Sequence, residues 1–504
     1  MGQLAFPYTL TDIQERLGVA IDPATLVVQA SAAFWPDLTA NDKPLMILAR
    51  SNDGMLSRFQ GELQPFDDEY VVMRCPTTHA NSRTLREVLP WFQPTPLGLQ
   101  TSAGFGDRLG LATPGHVQSL LRVLREFPGR TIVPIFAQQS IREMERTSRS
   151  PEDVLSDATW GAFQAGWRGN LGADADHLKT TQDIDACAAV GFSFFTIDPG
   201  AYVDSAADHD APEVLTRKLE ALPWQALQSS LAELRQRVGQ QVELDDRTIE
   251  LTEEAWLRAA VKYGRAVAHV ASMYRHLAAK DIPFELEVSV DETETPTTHV
   301  EHIYVASELS RLGVRWVSLA PRYVGSFEKG VDYIGDLTAL EADLAGHAAI
   351  ARTLGPYKLS LHSGSDKFSV YPLINAATNG MVHLKTAGTS YLEGLRVLAV
   401  HEPALFREIL ELGRERYETD RATYHVSAEL ARLPANADLA DEQLVTLLDQ
   451  FDARQILHVT FGSALARFGT EIKAGLQQHA TAYAAGLDTH FYRHLAPFCG
   501  ADNR

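Results

Sequence analysis

The segment YKLSLHSGSDK (357–367) is a short apolar run closed by a cluster of polar residues, and MVHLKTAGTS (381–390) repeats that design. Working outward, six more runs have the same form: LGLQTSAGFGDR (97–108), TIVPIFAQQS (131–140), GNLGADADHLKT (169–180), GFSFFTIDPGAY (191–202), PFELEVSVDE (283–292) and RWVSLAPRY (315–323). Between them lie stretches whose apolar residues recur every three or four positions, such as PGHVQSLLRVLREF (114–127), QDIDACAAVG (182–191), 253–280 and THVEHIYVASELSRLG (298–313). Short strands alternating with amphipathic helices make βα units and a parallel sheet. Eight such units predict an α/β protein built on a (β/α)8 TIM-type barrel; a doubly wound open sheet shares the alternation and is the competing fold.

Outside these units the pattern changes. TLVVQASAAF (25–34), PLMILARS (44–51) and EYVVMRC (69–75) read as strands punctuated by Pro, Asp, Asn and Gly, a β-rich N-terminal layer over 1–95. The barrel is assigned to 96–400, and 401–504 to a helical C-terminal extension packed on the barrel flank or on a second copy of the chain, with EPALFREILELGRERYE (402–418) its clearest helix. The stretch 204–246 exceeds a simple connection and is expected to form a helical insertion over the barrel mouth.

The 504 residues carry 45 Lys plus Arg against 65 Asp plus Glu, a formal charge of −20, and such a field repels phosphate backbones and anionic lipid. Nucleic acid and membrane are therefore not expected partners. Cys75, Cys187 and Cys499 are odd in number and form no CxxC pair, which fits neither a disulfide framework nor a zinc knuckle. The N-terminal MGQLAFPYTLTDIQERLG (1–18) acquires charge before a signal-peptide core accumulates, so a cytoplasmic setting is expected.

In a parallel barrel the carboxyl ends of the strands converge on one pocket. Here they offer Asp107 and Arg108, Gln138 and Gln139, Asp174, Asp176 and His177, Asp198, Glu287 and Asp291, Arg322, His362, Ser363, Asp366 and Lys367, and His383 and Lys385. Imidazole is a preferred ligand of first-row metals, and a catalytic site commonly uses three protein ligands. His177, His362 and His383, at three strand ends, are the candidate metal set, although each alone also reads as a hydrogen-bonded core residue. HVEH (299–302) has the spacing for two ligands on one helical face, but in an amphipathic helix it reads first as a solvated face. Glu287 lies in an apolar strand where burial would raise its pKa and suit it to proton transfer; a structural ion pair is the equal alternative. Asp176 is the second acid/base candidate or an orienting group. Adjacent strand residues point apart, so Asp176 and His177 share the pocket only if the strand has ended there. HSGSDK (362–367) follows the seventh run, where barrels often bind an anion. GFGDRLG (104–110) lacks the spacing of a dinucleotide fingerprint, and no Walker A, GxSxG or HExxH pattern occurs.

Five strings, GFGDRLGLATPGH (104–116), ADADHLKT (173–180), FTIDPGAY (195–202), LHSGSDKFSVYP (361–372) and VHLKTAGTSYLE (382–393), resemble the tagaturonate epimerase family. The resemblance implies a metal-dependent hexuronate epimerase that interconverts D-tagaturonate and D-fructuronate at C4, with one divalent ion as cofactor. The C4 hydrogen lies β to the C2 ketone and is not acidified by it. Retro-aldol cleavage of C3–C4, rotation of the aldehyde and re-formation of the bond would invert the centre. In that scheme His177, His362 and His383 hold the ion and Glu287 and Asp176 exchange protons. Arg322, Lys367 or Lys385 takes the C6 carboxylate, and Asp107, Arg108 and Ser363 complete the substrate contacts. A metal-dependent aldolase or ketose isomerase on a related sugar acid would use the same groups. A non-catalytic carbohydrate-binding protein on a barrel scaffold would leave the polar strand ends without a purpose.

Overall fold

A computed structural model describes residues 6–245 and 247–500. The eight runs form eight parallel strands: β1 (Ser102–Phe105), β2 (Val133–Ser140), β3 (Gly172–Leu178), β4 (Phe194–Ile197), β5 (Glu285–Ser289), β6 (Ser318–Ala320), β7 (Lys358–Leu361) and β8 (Val382–Thr386). Each pairs with its successor, and β8 closes on β1 with His383 opposite Ser102 and Lys385 opposite Gly104. The sheet is a closed barrel, which excludes the open doubly wound alternative.

The strands alternate as a barrel requires. Leu286, Val288, Leu319, Leu359, Leu361 and Leu384 face the surrounding helices and are at most 1% exposed, whereas the interior is filled with polar groups. Ser102, Asp174, Thr196, Glu287, Lys358, Ser360, His383 and Lys385 are all buried there. Buried charge is retained only when paired, so this interior must be an ion-pair network.

The N-terminal layer is a five-stranded antiparallel sheet of Val27–Gln29, Ala32–Pro36, Leu45–Arg50, Glu62–Pro65 and Tyr70–Cys75. Period-two alternation splits its side chains between two cores. Phe34, Ile47 and Met73 join the main core with the barrel helices, while Trp35, Leu48 and Val72 pack with Ile13 of helix Leu10–Leu17. The C-terminal region contains helices Pro403–Asp420, Phe451–Val459, Phe461–Gln478 and Ala480–Leu495. The last lies on the barrel helix Thr113–Glu126, where a Cβ on Gly115 would sit 2.5 Å from Leu487 Cβ, so only glycine permits this approach. The region also reaches beyond the flank, because Tyr424 and His425 line a pocket with residues following β5, β6 and β7.

Two expectations are corrected. The stretch 204–245 contains a hairpin strand, Gln241–Glu243, besides its helices; Asp208 near its start accepts from Thr295 in the loop after β5, and the later part packs along the outer helices. Arg311 donates to the carbonyls of Leu227 and Gln228, and Arg352 to Asp245. HVEH is not a solvated face either: His302 is fully buried between Tyr357 and His347, because the helix lies between the barrel and its neighbour Leu337–Thr353. Among the described residues no helix is long and apolar enough to cross a membrane.

Burial also sets a pH dependence. His116, His302, His383, His458 and His490 are held neutral by burial, with pKa values pushed down to about 4 at His116 and about 3 at His383. Below the unfolded value near 6.5 the unfolded chain takes protons that these folded imidazoles refuse, so stability falls as pH drops. Asp157, raised by burial to about 6, and Asp174, Glu301 and Glu393, also raised by burial, act in the opposite sense, as do His177 and His362, where burial opposes the charge but carboxylate neighbours raise the pKa. These offset part of the loss, because a group that keeps its proton throughout gains less between pH 7 and pH 5 than a strongly depressed imidazole loses. The unfolding free energy is expected to fall by several kcal/mol between pH 7 and pH 5. Equal urea midpoints at the two values would contradict this.

Candidate active site

Lys385 is the hub of the barrel interior. Its Nζ lies 2.8 Å from Asp174 Oδ2, 2.7 Å from Asp176 Oδ1 and 2.9 Å from Glu287 Oε1, and donates to Thr196 Oγ1 at 2.7 Å. Burial opposes its charge, but the three carboxylates outweigh that and raise its pKa. The carboxylates respond unequally. Burial works against the ionised forms of Asp176 and Glu287, yet Lys385 and the imidazoles hold both well below the usual carboxylate range. The raised carboxyl is Asp174, so the expectation that burial would lift Glu287 is reversed: Glu287 is over-supplied with donors, accepting from Lys385, from Ser318 at 2.5 Å and from Thr196 at 3.3 Å.

Asp176 and His177 do share the site, although β3 continues to Leu178. A bulge makes this possible: Ala175 is opposite Phe195 and Leu178 opposite Ile197, so three steps on β3 match two on β4. His177 takes up the extra residue with φ +51°, a left-handed conformation uncommon outside glycine. Its ring is thereby swung to within 4.5 Å of the His362 ring, centroid to centroid. Asp176, His177 and His362 form a group of ligand atoms close enough to hold a metal ion. His362 Nδ1 faces Glu287 Oε1 at 3.3 Å and its Nε2 faces Asp176 Oδ1 at 3.1 Å. His177 Nδ1 faces Asp198 Oδ2 at 3.3 Å. Each imidazole thus has a carboxylate behind one nitrogen, the arrangement that fixes the tautomer of a metal-ligating histidine. Burial opposes a charged His362, but its carboxylate neighbours Asp291 and Asp176 raise it to about 10, so the cluster already attracts a cation. The donor set suits a borderline ion such as zinc, nickel or manganese.

A pocket opens above His362, lined by Asp291, Glu292, Arg322, Lys329, Ser363 and His425, among others. Arg322 donates to the Thr293 carbonyl, and its buried Nε has no hydrogen-bond partner. Ser363 Oγ accepts from Lys329 Nζ at 2.9 Å and lies 3.4 Å from Asp291 Oδ2, while Ser289 donates to Asp291 Oδ1 at 2.6 Å. Of the candidates named from sequence, Asp176, His177, His362, Ser363, Arg322, Glu287 and Lys385 gather in or beneath this pocket.

Four others are used elsewhere. His383 is not with the other two histidines: its Nδ1 bonds Ser102 Oγ at 2.9 Å, two residues before Lys385 and deeper in the barrel. Asp107 accepts from the N–H groups of Leu109, Gly110 and Ala112, holding the turn after β1. Arg108 is paired with Glu143 at 2.6 Å and lies 3.6 Å over the Phe461 ring, which anchors the C-terminal helices. Lys367 gives its three N–H bonds to the carbonyls of Glu328, Val331 and Ser365, so it ties loops together and has no proton left for a substrate. HSGSDK therefore forms no anion cradle; a Cβ on its Gly364 would meet the Leu361 carbonyl at 2.5 Å, and its Asp366 faces Arg454, His490 and His494. Thr196, Ser318, Glu292, Lys329, Tyr424 and His425 join the site beyond the residues expected from the sequence. The first two were legible as polar inward positions in apolar runs, whereas the loop residues follow no period.

With this geometry in hand, a family model described as tagaturonate epimerase (UxaE) matches residues 27–498. The chain belongs to the tagaturonate epimerase family. The tagaturonate/fructuronate epimerase of Thermotoga maritima is 42% identical over 424 residues, covering 84% of this chain and 85% of that protein. The fructuronate-tagaturonate epimerase UxaE of Cohnella laeviribosi, in a native crystal structure and in one with glycerol bound, superposes with a TM-score of 0.87 at 34% identity over 97% of this chain and 99% of that one. This member of the tagaturonate epimerase family is thus a carbohydrate isomerase on the barrel read from its sequence, with its antiparallel N-terminal sheet and helical C-terminal region.

Proposed function

We propose that this tagaturonate epimerase family member interconverts D-tagaturonate and D-fructuronate by inverting C4 with the help of one divalent metal ion held by Asp176, His177 and His362. The observation that carries the reading is the bulge at His177, which spends a left-handed residue to bring a second imidazole beside His362 and Asp176. When bound, such an ion supplies Lewis-acid stabilisation of negative charge developing on oxygen. The chain's own groups do the rest. Asp198 orients His177 through its Nδ1, Glu287 stands beside His362 Nδ1, and Lys385 keeps Asp176 ionised. Asp291, which lines the pocket and is positioned by Ser289 and Ser363, takes the C4 hydroxyl proton and returns it after the new bond forms. Glu287, enclosed beneath His362, is a positioning residue in this reading. The reacting sugar acid is a small soluble substrate, and three buried free thiols suit a cytoplasmic setting.

The testing experiment is epimerisation of D-tagaturonate by purified protein after chelation and after add-back of zinc, manganese, nickel and magnesium singly. Activity lost and restored, with D-fructuronate as product, supports the reading; undiminished activity in fully chelated protein overturns the metal, and no conversion with any ion overturns the substrate.

Arg322 and Lys329 are the pocket cations placed to receive the C6 carboxylate. A hydrogen bond to a charged group is worth about 1.5–3 kcal/mol. Arg322→Ala is therefore expected to raise KM by roughly 10- to 100-fold with a smaller change in kcat. Arg322→Lys should rescue little, because an ammonium cannot reproduce the planar fork. An unchanged KM would remove Arg322 from this role.

A further inference from the structure

We propose that the chain carries a second metal site, outside the barrel, in which His299, Asp343 and His347 hold a zinc-like divalent ion behind the wall of the substrate pocket. His299 is the first residue of helix His299–Arg311, and Asp343 and His347 stand one turn apart on helix Leu337–Thr353. Asp343 Oδ1 lies 3.6 Å from His299 Nε2 and 3.5 Å from His347 Nε2. These distances are long for hydrogen bonds. They are close to the separation of about 3.3 Å between two ligands each about 2.0–2.1 Å from a tetrahedral ion. His299 Nε2 donates to the backbone oxygen of Asp343 at 3.2 Å, a hydrogen bond and proton that an ion would displace on binding.

The site is built rather than accidental. His347 is fully buried, and its Nε2, facing Asp343 Oδ1, has no hydrogen-bond partner. Its other nitrogen is held by His302 at 2.8 Å, and His302 in turn by the Tyr357 hydroxyl at 2.8 Å. With His347 Nδ1–H donating to His302 Nδ1 and His302 Nε2–H to Tyr357, a lone pair on His347 Nε2 is directed at the site. His299 lies against the opposite helix only because residue 346 is glycine: a Cβ there would fall 2.1 Å from His299 Cε1. The side chains of His299 and Asp343 keep 27% and 12% of their exposure, which leaves solvent access for a fourth ligand. Asp343 Oδ2 accepts the Val324 N–H at 3.1 Å, and the Tyr323 ring meets His347 edge-on at 5.6 Å. An ion here would thus clamp two barrel helices to the segment after β6, whose Tyr323 and Lys329 line the pocket.

Cobalt(II) titration tests this with a readout independent of catalysis. In full-length His177→Ala, which lacks a pocket ligand, one cobalt per chain with tetrahedral visible bands is expected. Adding either His299→Gln or Asp343→Asn should abolish those bands, and the second variant keeps an oxygen for Val324 should the first misfold. Absence of cobalt from His177→Ala, or bands that survive both folded double variants, would overturn the second site. Whether wild type binds one ion more than His177→Ala reports separately on the pocket.

Discussion

Lys385→Met is expected to abolish epimerisation, by more than about 100-fold in kcat/KM, and to destabilise the barrel by about 3–5 kcal/mol. The ammonium is the common partner of Asp174, Asp176 and Glu287, all fully or almost fully buried, at 2.7–2.9 Å. Methionine fills similar space but leaves three carboxylates facing one another in a water-poor interior, and removing one partner of a buried ion network costs far more than the network contributes over an apolar core. The remaining carboxylates relieve the repulsion by taking protons, so their folded pKa values rise above the unfolded values near 4. The sign follows. A carboxyl with a raised folded pKa stabilises in acid and loses that contribution as pH rises through the raised value. The deficit of Lys385→Met relative to wild type should therefore widen between pH 5 and pH 8, measured as the difference in urea unfolding free energy. A deficit that is constant or narrows over that range would mean that Lys385 does not neutralise this cluster.

The same network explains which parts of the molecule were legible in the sequence. All eight strands could be read because a barrel strand must be apolar toward its helices and must end in polar residues, and both signals are local. PFELEVSVDE announces Glu285, Glu287 and Ser289 as inward by alternation alone. What alternation cannot give is height within the barrel. His383 and Lys385 occupy the same strand and the same face, but two residues of rise place His383 beside Ser102 and Lys385 among the carboxylates. Nor does composition tell a free cation from a committed one: Lys367 and Arg108 resemble ligand-binding residues until their carbonyl, carboxylate and aromatic partners, some hundreds of positions away, are seen. The pKa of Glu287 failed for the same reason, since burial was visible in the strand and Lys385 was not. The bulge at His177 is the subtlest case. ADADHL reads as an uninterrupted strand, and only the register against β4 reveals the extra residue that aims the imidazole.

Asp291→Asn is expected to lower kcat by about 10²- to 10⁴-fold while KM changes little, because the amide keeps the shape and the Ser289 contact but cannot accept the C4 hydroxyl proton. Cleavage of C3–C4 sends the bonding pair toward the C2 carbonyl, leaving a three-carbon enediolate from C1–C3 and a three-carbon aldehyde acid from C4–C6. Rotation of the aldehyde then presents its other face, and bond formation returns the proton from Asp291 to the C4 oxygen. Throughout, the hydrogen on C4 stays on carbon. Substrate deuterated at C4 should therefore give product with the label fully retained in wild type, and borohydride quenching during turnover should trap the reduced aldehyde fragment. Loss of the label to solvent would mean that C4–H itself is broken, and would exclude the aldol route whatever the fate of Asp291→Asn. Retained label with an undiminished kcat in Asp291→Asn would keep the route and move the base to another group in the pocket, of which Glu292 is the next carboxylate along the same strand end. Because burial opposes ionisation of Glu292 but His177 and Lys329 overcome it and hold its pKa down at about 2, that substitute would be a weak base. Asp291, held at the pocket wall by Ser289 and Ser363, is thus the better-placed base.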